Sequence, residues 1–169
     1  MARPVPSDYP VFYESYIKLV SEEDLSETMR LSLEEMVDFL DGISPDKADY
    51  RYAEEKWSVK ELLQHMIDTE RIFSYRALCI ARGEHQSLPG FDEKVYAKNA
   101  DVSGKSLKEL KEEMLTVRES VYMMFRGFND EMLSRVGISN NKQVSVNAIG
   151  YMIIGHARHH FNILKERYL

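Results

Sequence analysis

Three of the chain's five histidines fall within Gly155-His156-Ala157-Arg158-His159-His160, inside an apolar run with helical spacing. At about 100° per residue, His156 and His160 stand about 40° apart and one turn from each other. Two imidazoles so placed can share one metal ion. The pair also falls on the apolar stripe that Ile149, Ile153 and Ile163 define, with His159 on its flank. Buried imidazoles need polar partners. A third histidine, His65, lies on the inward stripe of another helical segment, with Leu62, Met66, Thr69, Ile72, Phe73, Arg76 and Ile80. Three neutral imidazoles with an open fourth position suit zinc, nickel, cobalt or iron(II). Such a centre makes a bound water more acidic or holds a thiolate as nucleophile. The competing reading, three core histidines bonded to neighbours, needs several polar partners in one apolar interior.

Other side chains on the His65 segment carry weaker signals. An inward arginine such as Arg76 either binds a substrate carboxylate or phosphate or pairs with an internal acid. Tyr75, beside it, is a second candidate for substrate contact. Asp68 and Glu70 can orient a histidine, although a solvated face or pairing with Arg71 is the preferred reading. Cys79 is off the stripe and reads as packing, which leaves a metal-free acid–base mechanism without a nucleophile. His85 follows Gly83 in a loop and is expected to be exposed.

The elements that must position these groups are helical. A first long helix is predicted from Asp24 or Ser26 to Asp41, its stripe being Met29, Leu33, Met36 and Leu40, with Gly42 as its stop. Ser58-Val59-Lys60-Glu61 is a capping box that opens a second, reaching Arg82. Ser106 with Glu109 opens a third, and Ser145 caps a fourth that runs to the C-terminus. Residues 83–105 form the longest connection, with a short helix over 92–99, and are expected to cover one end of the bundle. Asn129 caps a helical turn, and Gly137 to Gln143 reads as a polar turn. No segment alternates like a strand. The expected fold is therefore all-α: a four-helix bundle with a long connection between the second and third long helices. Prolines at 4, 6 and 10, followed by aromatics, predict that residues 1–20 form an arm docking as a short helix.

Composition narrows the function. The 169 residues suit one domain, 1–169. A net charge of −6 without a basic stripe argues against nucleic acid as a partner. One cysteine excludes a disulfide framework within the chain and points to a reducing compartment. The N-terminus has no apolar signal-peptide core, and no stretch approaches the ~20 apolar residues of a membrane span. A cytoplasmic protein with no membrane partner is expected.

Trp57-Ser58-Val59-Lys60-Glu61-Leu62-Leu63-Gln64-His65-Met66-Ile67-Asp68-Thr69-Glu70, with the later Gly155-His156-Ala157-Arg158-His159-His160, resembles the DinB/YfiT-like superfamily. The resemblance covers most of the chain. It implies a four-helix bundle holding a divalent metal, zinc or nickel, on His65, His156 and His160. It also implies a homodimer and transfer of a low-molecular-weight thiol, bacillithiol or mycothiol, to a small electrophilic substrate. Relatives include maleylpyruvate isomerases, so a metal-dependent hydrolase or isomerase is the alternative, as is a non-catalytic stress-related binding module. One departure stands out: relatives often carry an acid after the first histidine of the last helix, and here that position is Ala157. Fold transfers across such families more safely than function.

Overall fold

Side-chain caps start every long helix of the computed structural model, which describes residues 2–169. After 3-10 turns at Pro6–Asp8 and Val11–Tyr13, the arm ends in α1 (Glu14–Ile17). Asp24 accepts from the Glu27 amide at the start of α2 (Leu25–Asp41), and the Ser58–Glu61 box opens α3 (Val59–Ala81). Asp92 caps α4 (Glu93–Asn99), and Ser106 with Glu109 opens α5 (Leu107–Arg126). Asn129 caps α6 (Asp130–Ser134), and Ser145 caps α7 (Val146–Arg167). Each of these starts agrees with the expectation from sequence, because a side chain there satisfies an otherwise orphaned amide.

Helices α2, α3, α5 and α7 form the bundle. Both α2 and α3 pack against α5 and α7, so α2 and α3 face each other across the bundle rather than side by side. Residues 42–58 therefore cross its end. The core comprises two apolar clusters. One gathers Phe73, Ala77, Val121, Ile149 and Ile153 with the arm residues Tyr9 and Ile17. The other gathers Met36, Leu62, Met66, Met114, Phe161 and Leu164. On α7 the changeover between clusters falls at His156, and on α3 it falls between Ile67 and Phe73, one turn past His65.

The arm docks on α7, as expected. Gly155 makes this possible: a Cβ there would overlap the Tyr16 carbonyl oxygen. Arg158, on the next turn, donates to both carboxylate oxygens of Glu22, to Glu35 of α2 and to the Leu19 carbonyl. The guanidinium thus joins the arm's exit, α2 and α7.

The expectation of a polar turn over 137–143, with no strands, is corrected. Strands β1 (Val136–Ser139) and β2 (Lys142–Ser145) form an antiparallel hairpin in register Ser139 to Lys142. Asn140 and Asn141 both adopt positive φ, 50° and 59°, the conformation of a two-residue turn whose twist matches the strands. Asparagine tolerates that region better than most residues. The Leu88 backbone donates to Ile138 and accepts from Asn140, tying the 83–105 connection to the hairpin. No helix among the described residues is long and apolar enough to cross a membrane.

Candidate metal centre

His65, His156 and His160 converge. The Nε2 atom of His156 lies 3.2 Å from that of His65 and 3.0 Å from that of His160. One ring nitrogen of each lies within 4.8 Å of the others, and all three residues are buried. An in-plane imidazole nitrogen offers either one proton or one lone pair, so Nε2 of His156 cannot bond linearly to both neighbours. A cation at the centre would satisfy all three lone pairs at once. Metal–nitrogen bonds of 2.0–2.1 Å in a tetrahedron place nitrogens about 3.3 Å apart, close to the separations found here. The donor set and its spacing therefore fit a divalent ion.

Burial keeps these rings neutral and ready to ligate. It pushes the pKa of His65 from 6.5 to about 4, aided by the charge of His159. His156 and His160 are driven well below 6.5, again by burial first and then by the other imidazoles. Aromatic side chains set the ring planes. Trp57 lies on His65 with ring centroids 4.8 Å apart, and Tyr16 meets His156 edge-on at 5.4 Å. Nδ1 of His160 is buried and has no acceptor among the described residues.

A pocket of about 710 Å³ reaches His156 from outside the bundle. Its walls are Tyr13 and Tyr16 of the arm, Thr69 and Phe73 of α3, Phe91, Asp92, Glu93 and Lys94 of the long connection, and the hairpin tip with Lys142. The connection thus covers the site's open end, as expected. Burial raises the Tyr13 and Tyr16 hydroxyls above their usual pKa, so both stay protonated donors at neutral pH.

Other candidates fall elsewhere. Arg76 is buried, pairs with no acid and does not itself line the large pocket, although it lies against Tyr13, one of that pocket's walls. It donates to the Pro89 carbonyl at 2.7 Å and lies between the rings of Phe73 and Phe91. Tyr75 is 56% exposed and lines, with Arg76, an adjoining pocket of about 250 Å³. His85 is exposed and Cys79 half-buried. Asp68 accepts from Gln64. Glu70 is neither solvated nor paired with Arg71. It is 5% exposed and bound to the fully buried Arg118, while Arg71 pairs with Glu113. Ala157 packs in the second apolar cluster, and the carboxylates that face the pocket are those of Asp92 and Glu93.

Residues 28–164 match the DinB superfamily profile. The chain belongs to the DinB superfamily. Among solved structures, YfiT from Bacillus subtilis, described as "a probable metal-dependent hydrolase with an unusual four-helix bundle topology", superposes with a TM-score of 0.67 at 17% identity. That match covers 96% of this chain and 89% of YfiT. A mycothiol-dependent maleylpyruvate isomerase matches at 0.65 and 12% identity, over 82% of this chain and 58% of its own. The DinB-like protein YjoA from Bacillus subtilis matches at 0.57 and 18% identity, over 85% and 89%. No curated protein sequence matches the chain. At these identities the structural matches establish the DinB fold. The diagonal placement of α2 and α3 sets α3 beside α7, where His65 meets His156 and His160.

Proposed function

We propose that the protein is a divalent-metal-dependent enzyme that transfers a low-molecular-weight thiol of the bacillithiol kind to a small electrophile. The observation that carries this reading is the opening of a three-imidazole centre, at His156, into a pocket of about 710 Å³. That volume lies in the range of sites for organic ligands and far exceeds the roughly 30 Å³ share of a single water. When bound, a divalent ion on the three Nε2 atoms would lower the pKa of a thiol or water and hold the resulting nucleophile.

The chain's own residues supply the rest. Trp57 and Tyr16 hold the imidazole planes. Tyr13, Tyr16, Phe73 and Phe91 bind the organic part of the substrates and exclude water. Lys94 and Lys142 attract the carboxylates of an anionic thiol. The thiol sulfur attacks an electrophilic carbon, the carbon–leaving group bond breaks, and the thiol's proton passes to a carboxylate oxygen of Glu93. Arg76 acts on substrate through Phe91, which it clamps as part of the wall, with Tyr75 at the neighbouring opening.

Hydrolysis is the second reading. It is favoured by the near-complete overlap with YfiT, against the 58% of the isomerase that is covered. The test is to supply metal-loaded protein with monobromobimane, with and without bacillithiol, and with a panel of activated esters and amides. Thiol-dependent bromide release faster than bacillithiol and monobromobimane give without protein supports transfer. Turnover of esters or amides without thiol moves the assignment to a hydrolase, and no turnover in any arm removes the catalytic reading.

A further inference from the structure

The chain has three threonines, all within helices. A helical threonine ordinarily returns its hydroxyl to the carbonyl four residues back. Thr28 does so to Asp24 at 2.5 Å and Thr116 to Glu112 at 2.8 Å. Thr69 does not. It is 2% exposed, and its Oγ1 has no hydrogen-bond partner among the described residues although the His65 carbonyl lies one turn back. Two other buried polar atoms share that state, Oδ1 of Asn147 and Nδ1 of His160, but only Thr69 lines the large pocket. An unpaired buried hydroxyl is a cost to the fold, tolerated where the partner arrives from outside.

We propose that the Thr69 hydroxyl anchors a carbonyl or carboxylate oxygen of a planar small molecule bound between the aromatic walls of this pocket. The inference rests on the reading of that pocket as the substrate site, and it names the class of molecule the pocket takes. Tyr16 and Phe73 line the pocket together with Thr69, and aromatic walls suit a flat, largely apolar body. The hydroxyl selects the oxygen-bearing end and turns it toward His156. Thr69 is one helical turn from His65, so a molecule held there lies against the open side of the imidazoles.

Benzoate serves as the probe, with wild type, Thr69→Val and Thr69→Ser compared for benzoate affinity, metal content and melting temperature. Valine keeps the shape and branching and removes only the hydroxyl; serine restores it. Metal content is expected to be equal in all three. The benzoate Kd should rise about tenfold in the valine variant and return to within about threefold of wild type in the serine variant. Without metal or benzoate, the valine variant should melt at the wild-type temperature or about 2–4 °C above it, because nothing in the protein uses the hydroxyl. Equal benzoate affinity in wild type and the valine variant, or no binding to wild type, overturns the anchor. So does a fall of several degrees in the valine variant, which would make the hydroxyl a structural bond. A wild type that holds no metal sinks the enzymatic reading instead, while the melting comparison still judges Thr69.

Discussion

The guanidinium of Arg118 on α5 grips both carboxylate oxygens of Glu70 on α3, Nε to Oε1 at 2.6 Å and Nη2 to Oε2 at 2.8 Å. Its remaining arm donates to the Ser32 hydroxyl of α2 at 2.9 Å. Three of the four bundle helices thus meet at one fork-to-fork pair from which water is excluded.

Breaking that pair from one side is predicted to be severe. Arg118→Leu leaves a carboxylate that is 5% exposed without its cation, which costs about 3–5 kcal/mol. Replacing both partners, as Glu70→Leu with Arg118→Leu, removes the stranded charge and should recover most of that loss. Urea denaturation of the single and double variants measures both. A single variant within about 1 kcal/mol of wild type contradicts the assignment of the pair as dry.

Gly155→Ala tests the docking of the arm. The added methyl collides with the Tyr16 carbonyl, a backbone atom that cannot swing aside like a side chain tip. The arm must lift, at a cost of about 1–3 kcal/mol. Because Tyr13 and Tyr16 are pocket walls, the same change opens the site to water. Limited proteolysis should cut within residues 2–20 faster in the variant, with the bundle fragment intact.

The histidine set was readable because one helix places His156 and His160 a single turn apart, and the capping box at Ser58 fixes the phase of His65. Helix starts were readable for the same local reason: Asp24, Ser58, Ser106, Asn129 and Ser145 each act within three residues of themselves. What eluded the sequence depends on distant partners. Glu70 looked like a surface acid because Arg118, the residue that buries it, sits 48 positions away. Arg76 read as inward, but the groups it meets, the Pro89 carbonyl and Tyr13, come from distant segments. The hairpin had a local signal, Asn140-Asn141, but its short strands, with Gly137 in one of them, lacked clear alternation. Thr69 read as stripe, and only the bonds made by Thr28 and Thr116 reveal its hydroxyl as unused.

Metal binding should persist into mild acid. An exposed imidazole begins to hold a proton below pH 6.5, whereas burial keeps His65 neutral down to about 4 and holds His156 and His160 well below 6.5 as well. The apparent metal Kd should change less than about tenfold between pH 7 and pH 5. Stability of the metal-free protein is more sensitive to acid. Between 6.5 and about 4 the unfolded chain takes up protons that folded His65 refuses, so stability is full above 6.5 and is lost as pH falls through that window. His160→Ala should lose the ion altogether, from about one per chain to near zero by elemental analysis. Retention of stoichiometric metal in that variant would exclude His160 as a ligand.

Glu93→Gln tests the proton acceptor. Ala157 offers no acid within the last helix, and Asp92 is engaged as the cap of α4, accepting from the Lys94 and Val95 amides. Glu93 faces the same pocket as Tyr13, Tyr16 and His156, and its charge is felt at both tyrosines. The amide keeps its shape and removes its basicity. Folding and metal content should be unchanged, because the side chain is exposed and lies outside the three-imidazole cluster. Loss of a positioned base lowers kcat by about 10²-fold or more with KM little altered. Raising the pH should narrow the gap between variant and wild type, since a thiol already ionised in solution needs no acceptor. A kcat within about twofold of wild type across the pH range would assign the proton to solvent and leave Glu93 as part of the rim.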